Sequence, residues 1–396
     1  MNPGAANIKK YLYRHLVVFL VVALFVLGSS SGTLLYKYLT ERSFLILANN
    51  LVANKTKEIT GLKSRDEYKI NQNLQGEVKN IHDTYSKASS TYERLADLKV
   101  TQKDTGNLDK LYAQALNYLS DKNYASASAT LADLNSQIDA QEQKAAPSAQ
   151  LTQIATGTTQ SNTPPGSGYS RQTVHTNSGD FTLDIIAADL NSTRVIVDSA
   201  SSSDCSNNCP VMPLADYANR NGAFAAVNGP FFCPPEYPSC AGKTNSFDTL
   251  LMNKNKTYFN SSNNVYSTVP AVIFSGNSGR FVTQSLEWGR DTNVDSVIAN
   301  YPLLVLGGNI MFTENPNEPK FGARGTRCFI GITGSTVYIG TIYSATMGEA
   351  AQVVKALGIN SALNLDEGGS TALWYQGRYL AGPGRNLPFG VLLVHK

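Results

Sequence analysis

An uncharged segment divides this sequence into two parts of different character. Residues 145–170 contain no Asp, Glu, Lys or Arg. They are rich in Ser, Thr and Gln, and they include Pro147, Gly157, Pro164, Pro165, Gly166 and Gly168. Such a composition supplies few side chains for a core, so we predict a flexible linker over residues 145–170. A chain of 396 residues is also too long for one ordinary core.

The two parts differ in charge. Residues 1–144 carry 18 basic and 14 acidic residues, whereas residues 171–396 carry 15 and 16. A protein that binds nucleic acid needs a concentrated basic face to neutralise phosphates. The larger part supplies no such face, so we predict no nucleic-acid partner.

The amino-terminal end has the features of a membrane anchor. Residues 15–36 contain no charged side chain, and about 20 helical residues span a bilayer core. Lys9, Lys10 and Arg14 precede this stretch, which predicts a cytoplasmic amino terminus and an extracytoplasmic remainder. We therefore predict a cytoplasmic tip and single-pass transmembrane helix over residues 1–40, with membrane contact through 16–36. A cleaved signal peptide is the alternative, and it also requires export.

Residues 41–144 have a helical composition, with glycine only at 61, 76 and 106 and no proline. Apolar residues recur at helical spacing over 108–119 and again over 125–138. The segment Asp121-Lys-Asn-Tyr separates these runs and predicts a helical hairpin. We interpret residues 41–144 as a helical stalk; a single tetratricopeptide-like unit is the alternative.

Residues 171–396 are dominated by short β-prone runs, at 181–187, 194–197, 269–274, 337–342 and 389–394. Helices are predicted at 213–221 and 346–357. Thr346 and Glu349 have capping-box spacing at the start of the second helix, and Gly358 suits its end. Strands with few helices and no strict alternation predict an α+β fold, a mixed β-sheet domain.

All five cysteines lie in this domain. In an exported chain Cys205–Cys209 and Cys233–Cys240 are natural local disulfides, and other pairings are left open. One cysteine must stay unpaired, and we expect it to be Cys328, which lies in an apolar stretch. A zinc site is the alternative, but no nearby histidine completes it.

Several common catalytic motifs are absent. The domain contains only His175 and His395, and it has no His-Glu-x-x-His, Gly-x-Ser-x-Gly or phosphate-loop sequence. A thiol–imidazole pair of Cys328 and His175 is left open.

Three stretches carry polar groups at the ends of predicted strands. The first is Asn228-Gly-Pro-Phe-Phe, and the second places Arg324 and Arg327 at the start of an apolar strand. Guanidinium groups recognise phosphate or carboxylate in a bidentate manner. The third is Asn364-Leu-Asp-Glu-Gly-Gly-Ser-Thr, where two carboxylates precede a backbone that a ligand can approach closely.

The order and spacing of these stretches resemble the phosphodiester glycosidase family, to which the lysosomal "uncovering" enzyme belongs. The similarity covers roughly residues 172–396, and it also includes Asn300-Tyr-Pro-Leu-Leu-Val, Arg327-Cys-Phe-Ile-Gly and Ala356-Leu-Gly. The sequence departs from the family pattern at Pro230, Asn300-Tyr301, Cys328 and Glu367. Glu367 adds a charge where the pattern has glycine.

The resemblance implies a hydrolase that cleaves a sugar-1-phosphodiester, here in a cell-wall or surface polysaccharide. Paired carboxylates are the usual apparatus for glycoside hydrolysis. We predict that the catalytic residues are Asp366, Glu367 and Arg327, and that the substrate-binding residues are Asn228, Gly229, Arg324, Gly368, Gly369, Ser370 and Thr371. Asp248 and Glu236 are weaker acid candidates. No cofactor is certain, although a divalent cation at Asp366 is left open.

Two other functions remain as alternatives. The domain could bind a glycan or the cell wall without cutting it, since Glu367 and Pro230 alter the pattern. The stalk could instead be the functional part, as the scaffold of an exported assembly.

Overall fold

The computed structural model describes residues 4–64, 66–102, 104–145, 158–262, 267–313 and 319–396. The chain divides into two compact units, Met1–Lys79 and Asn80–Lys396. The helices are α1 (Gly4–Lys63), α2 (Asp66–Thr101), α3 (Gly106–Ser120), α4 (Tyr124–Ala145), α5 (Leu214–Arg220), α6 (Pro319–Gly322) and α7 (Met347–Ala356). Single 3₁₀ turns lie at Pro238–Cys240, Ser285–Trp288 and Gly368–Ser370.

The first unit contains α1, which includes the uncharged stretch 15–36. Within the described ranges, no helix is both long enough and apolar enough to cross a membrane. The apolar run at 16–27 is followed by Gly28-Ser-Ser-Ser-Gly, which lowers the apolar character of the helix. The predicted transmembrane helix is therefore not supported by the structure.

The second unit begins with the last part of α2, which packs against the hairpin of α3 and α4. Two apolar clusters hold these helices together, one around Leu131 and one around Leu134. The turn of the hairpin places Lys122 at a φ of 56°. The predicted hairpin is confirmed, because α3 ends at Ser120 and α4 begins at Tyr124.

The rest of this unit consists mainly of three sheets. Their strands are β1 (Thr159–Gln160), β2 (Gly168–Thr176), β3 (Gly179–Asp189), β4 (Thr193–Ser199), β5 (Ala225–Asn228), β6 (Leu251–Met252), β7 (Tyr258–Phe259), β8 (Ala271–Ser275), β9 (Ser278–Val282), β10 (Ser296–Ala299), β11 (Leu303–Leu306), β12 (Asn309–Ile310), β13 (Gly325–Thr333), β14 (Thr336–Ala345), β15 (Ser361–Asn364), β16 (Leu373–Tyr375), β17 (Arg378–Ala381) and β18 (Phe389–His395). The spatial orders are β1-β2-β3-β14-β13-β15-β11-β12, β7-β6-β10-β8-β9 and β17-β16-β5-β18-β4.

The largest apolar cluster of the described residues contains side chains from all three sheets. Alternate side chains of β13 and β14, such as Ile330 and Ile339, pack in one cluster with Val227 of β5 and Val391 of β18. The opposite face of the eight-stranded sheet is covered by α7, through residues such as Met347 and Val354. This arrangement brings the end of β5, the start of β13 and the end of β15 close together.

The predicted α+β class is confirmed, and the two helices predicted in this domain are α5 and α7. Thr346 and Glu349 form the expected capping box, and Gly358 has a φ of 73°. The prediction of a flexible linker needs correction, because part of residues 145–170 belongs to the sheet: Thr159 pairs with Gln172, and β2 begins at Gly168. Small polar residues can form such strands because neighbouring β3 satisfies the backbone of β2. Residues 146–157 lie outside the described ranges.

Candidate functional site

The candidate site is built around a loop, residues 365–372, that passes from one sheet to another. It leaves β15 in the eight-stranded sheet and enters β16, which pairs with β5 in a different sheet. Backbone bonds fix its start: the Leu365 amide donates to the Cys328 carbonyl and the Asp366 amide to the Gly229 carbonyl, both at 2.9 Å. Three predicted motifs therefore meet at this loop.

Asn228 holds the two ends of the loop. Its side chain is fully buried, and its amide nitrogen donates to the Asp366 carbonyl at 2.7 Å. Its side-chain oxygen accepts from the Ala372 amide at 3.1 Å. Both polar ends of the side chain are thus used to position the loop.

Glycine is required at two points around this loop. A Cβ atom on Gly229 would lie 2.3 Å from a ring carbon of Phe389, so a larger residue would displace that ring. Gly368 has a φ of 60°, a conformation that side chains disfavour. The amides of Ser370 and Thr371 donate to the carbonyls of Glu367 and Gly368 inside the 3₁₀ turn.

Asp366 is a buried carboxylate at the start of this loop. The residue is 8% exposed, and its Oδ1 atom accepts from the Glu367 amide at 2.9 Å. Burial raises the pKa of Asp366 to about 7, although Lys320, Ser370 and Arg385 oppose the shift. A carboxyl group with this pKa can accept or donate a proton near neutral pH.

Arg327 and Glu367 form a buried ion pair. Nη1 of Arg327 contacts Oε2 of Glu367, and their side chains are 5% and 7% exposed. The other guanidinium nitrogens are also engaged: Nε donates to the Ala345 carbonyl at 3.0 Å, and Nη2 donates to the Ala323 carbonyl. Arg327, which is part of the family pattern, therefore neutralises the charge of Glu367, which stands where the pattern has glycine.

The structure does not bring the Arg324 guanidinium to this loop. Its Nη1 atom donates to the Ser344 carbonyl at 2.8 Å, and Nη2 binds Glu349 at the start of α7. Asp248, a weaker acid candidate, is exposed.

Arg385 is a functional candidate that the sequence analysis missed. Its side chain is 6% exposed, its Nη1 atom lies 3.5 Å from Ser370 Oγ, and its backbone amide donates to the Gly369 carbonyl at 2.8 Å. Nη2 binds Asp97 of α2, and Nε lies 3.6 Å from Glu236. The available signal was its position in Gly382-Pro-Gly-Arg, a loop that directly follows a strand.

Tyr237 and Lys320 complete the surroundings. The Tyr237 hydroxyl donates to Asp97, and its ring lies 5.5 Å from the Arg385 guanidinium carbon. Burial alone would lower the pKa of Lys320. The negative charges of nearby carboxylates outweigh burial and raise this pKa. These carboxylates are Glu367, Asp366, Glu93 and Asp97. Lys320 therefore gives this acidic region a second cation.

Cys328 lies beneath the loop as a free, buried thiol. Its Sγ atom is 3.7 Å from Thr341 Oγ1 and 3.9 Å from Thr371 Oγ1. The thiol–imidazole pair with His175 is not formed, because the His175 ring contacts Asp180 at 2.6 Å and is exposed. The two predicted disulfides, Cys205–Cys209 and Cys233–Cys240, are confirmed.

The described residues contain no group of three or more His, Cys, Asp or Glu side chains arranged to hold a metal ion. A divalent cation at Asp366 thus gains no support from the geometry.

Comparison with known proteins finds a family likeness in the carboxy-terminal region. Residues 221–394 match the family model of the phosphodiester glycosidases. No match is found among curated protein sequences.

Solved structures give more distant likenesses. A protein from Synechocystis is 12% identical at a TM-score of 0.41; the alignment covers 58% of this chain and 62% of that one. The catalytic domain of zebrafish N-acetylglucosamine-1-phosphodiester alpha-N-acetylglucosaminidase, auto-inhibited by its pro-peptide, is 12% identical at a TM-score of 0.45; the alignment covers 59% of this chain and 85% of that one. A putative exported protein from Burkholderia pseudomallei is 13% identical at a TM-score of 0.36; the alignment covers 55% of this chain and 74% of that one.

Proposed function

We propose that this chain hydrolyses a sugar-1-phosphodiester, because residues 221–394 match the family model of the phosphodiester glycosidases. The observation that carries the proposal is the buried Asp366 carboxyl group, whose pKa is raised by burial to about 7 and which precedes a glycine turn that contacts a buried arginine. The reaction needs a group that takes a proton from water and a cation that binds a phosphate. Asp366 and Arg385 supply these two functions.

In the proposed step, a water oxygen attacks the anomeric carbon of the sugar. The bond between that carbon and the phosphate oxygen breaks, and the phosphate monoester leaves with the bonding electrons. Asp366 takes the proton from the attacking water. Arg385 stabilises the charge on the departing phosphate, so the leaving group needs no proton donor.

We assign the phosphate to Arg385 rather than to the predicted Arg327. The three guanidinium nitrogens of Arg327 already contact Glu367 and two backbone carbonyls. Arg385 instead points its Nη1 and Nη2 atoms at side chains on the loop and on α2. Arg327 and Asn228 then act by positioning residues 365–372.

The test uses the full chain and the methyl esters of glucose 1-phosphate and N-acetylglucosamine 1-phosphate, with release of the free sugar followed by chromatography. We expect sugar release by the parent, and a KM at least tenfold higher for Arg385→Ala, because the variant loses a charge-assisted bond to phosphate. Arg378→Ala, on strand β17, is the matched control and should leave KM unchanged. An Arg385→Ala variant with parental kinetics would refute the assignment. Binding of these esters without sugar release would favour the non-catalytic glycan-binding alternative.

We also propose that the domain is exported, with residues 16–36 as a single-pass anchor and a cell-envelope polysaccharide as the substrate. Two disulfides support export, because such bonds persist in oxidising compartments. The basic residues before an uncharged stretch support a cytoplasmic amino terminus.

Protease treatment of intact cells that express the chain tests this localisation. We expect an external protease to degrade the carboxy-terminal domain while a tag fused before Met1 stays protected until the cells are lysed. A carboxy-terminal domain that remains protected in intact cells would contradict export. Recovery of the domain in the medium without residues 1–31 would instead support a cleaved signal peptide.

A further inference from the structure

A carboxylate from the helical region already lies at the proposed anion site. Asp97, near the end of α2, binds Nη2 of Arg385 through its Oδ1 atom. The Tyr237 hydroxyl donates to both carboxylate oxygens, at 3.0 and 3.1 Å. The Asp97 and Arg385 side chains are 12% and 6% exposed, so the pair is largely shielded from solvent.

The same carboxylate lies directly against the glycine turn. A Cβ atom on Gly368 would be 2.1 Å from Asp97 Oδ2, and one on Gly369 would be 2.9 Å from Oδ1. These two glycines leave the space that an anionic ligand needs next to the backbone. Asp97 fills that space.

The contact between α2 and this loop is polar. The apolar clusters of α2, α3 and α4 share no residue with the three clusters of the sheets. The described polar contacts include the Asp97–Arg385 pair and a hydrogen bond from Arg94 to the Arg324 carbonyl at 2.7 Å. An interface held by ion pairs and hydrogen bonds can separate without exposing a large apolar surface.

We propose that Asp97 is an intramolecular competitor of the substrate phosphate, which binds Arg385 only when α2 has moved away. The inference rests on the proposed function, because that function assigns the phosphate to Arg385. It also gives the helices a regulatory role: whatever displaces α2 exposes the anion site.

The test measures anion binding separately from catalysis. Inorganic phosphate is titrated into the full-length parent, Asp97→Ala, Asp97→Asn and the control Asp109→Asn by isothermal calorimetry. Asp109 pairs with Lys99 on the exposed side of the same helices, at 2.6 Å. We expect Asp97→Ala to bind phosphate at least tenfold more tightly than the parent, Asp97→Asn to be intermediate, and the control to match the parent. Adding Arg385→Ala to Asp97→Ala should abolish the gain.

Thermal denaturation shows whether each variant is folded; if Asp97→Ala is not, the isosteric Asp97→Asn carries the comparison. Phosphate binding that is no tighter in the folded Asp97 variants than in the parent overturns the inference. Loss of sugar release together with unchanged phosphate binding would place Asp97 in the catalytic set and overturns it as well. Tighter phosphate binding without any sugar release supports the inference while the proposed function fails.

Discussion

Asp366→Asn is expected to lower kcat/KM for sugar-1-phosphodiester hydrolysis by about 10²–10⁴-fold, the usual contribution of a positioned general base. The amide keeps the shape of the carboxyl group and can accept from the Glu367 amide as Asp366 does, but it cannot take a proton from water. The measurement is sugar release at saturating and limiting substrate. Asp180→Asn is the matched control, because Asp180 is exposed and contacts His175. Parental activity in Asp366→Asn would exclude Asp366 as the base.

The same variant should change the pH dependence. Burial raises the pKa of Asp366 to about 7, so the carboxyl group is protonated below that pH and becomes a base above it. We therefore expect the kcat/KM of the parent to rise with pH around a midpoint near 7. The residual activity of Asp366→Asn should not show this rise. A parental profile that is flat between pH 5 and 9 would contradict this role.

Stability provides an independent readout of the same group. The pKa of Asp366 is about 7 in the folded chain and has an ordinary value of 3.8, so the folded state binds more protons than the unfolded state between these two pH values. The free energy of unfolding of the parent should therefore decrease relative to that of Asp366→Asn as the pH rises from about 4 to about 7, and the difference should stay constant above that. A difference that does not change with pH over this range would contradict the raised pKa.

Arg327→Met is expected to destabilise the chain by about 3–5 kcal/mol, because it leaves Glu367 as an unpaired buried charge. Replacing both partners, with Arg327→Met and Glu367→Gln together, should recover much of that loss. The measurement is the free energy of unfolding from urea titrations of the single and double variants.

The control for this cycle is a surface pair. Arg194 Nε lies 3.3 Å from Asp295 Oδ1, and the Arg194 side chain is 53% exposed. Arg194→Met should change stability by about 1 kcal/mol or less, because solvent screens exposed pairs. Equal effects at Arg327 and Arg194 would show that the buried pair contributes little.

Local pattern was sufficient to predict several of the strands that form the sheets, and one of the helices that cover them. The β-prone runs at 337–342 and 389–394 correspond to β14 and β18, and the capping box at Thr346 correctly marks the start of α7. β1 and the start of β2 were missed because small polar residues form them, and their pairing with neighbouring strands cannot be read from the composition.

The site could be predicted only where its residues lie in one contiguous motif. Asp366, Glu367 and the glycines are adjacent in sequence, and Asn228 and Arg327 join them because β5 ends and β13 begins at the same loop. Arg385 is brought in by the path of the chain from β17 to β18. Asp97 has no local signal, since its position depends on how α2 packs.

The burial of Cys328 has a practical consequence for studying this chain. Burial raises the pKa of its thiol to about 12, and the other four cysteines are in disulfides. The thiolate that alkylating reagents require is therefore scarce at neutral pH. A cysteine introduced on the exposed side of α2 would be the main reactive thiol of the folded, oxidised chain. A fluorophore or spin label attached there could report directly on the displacement of that helix.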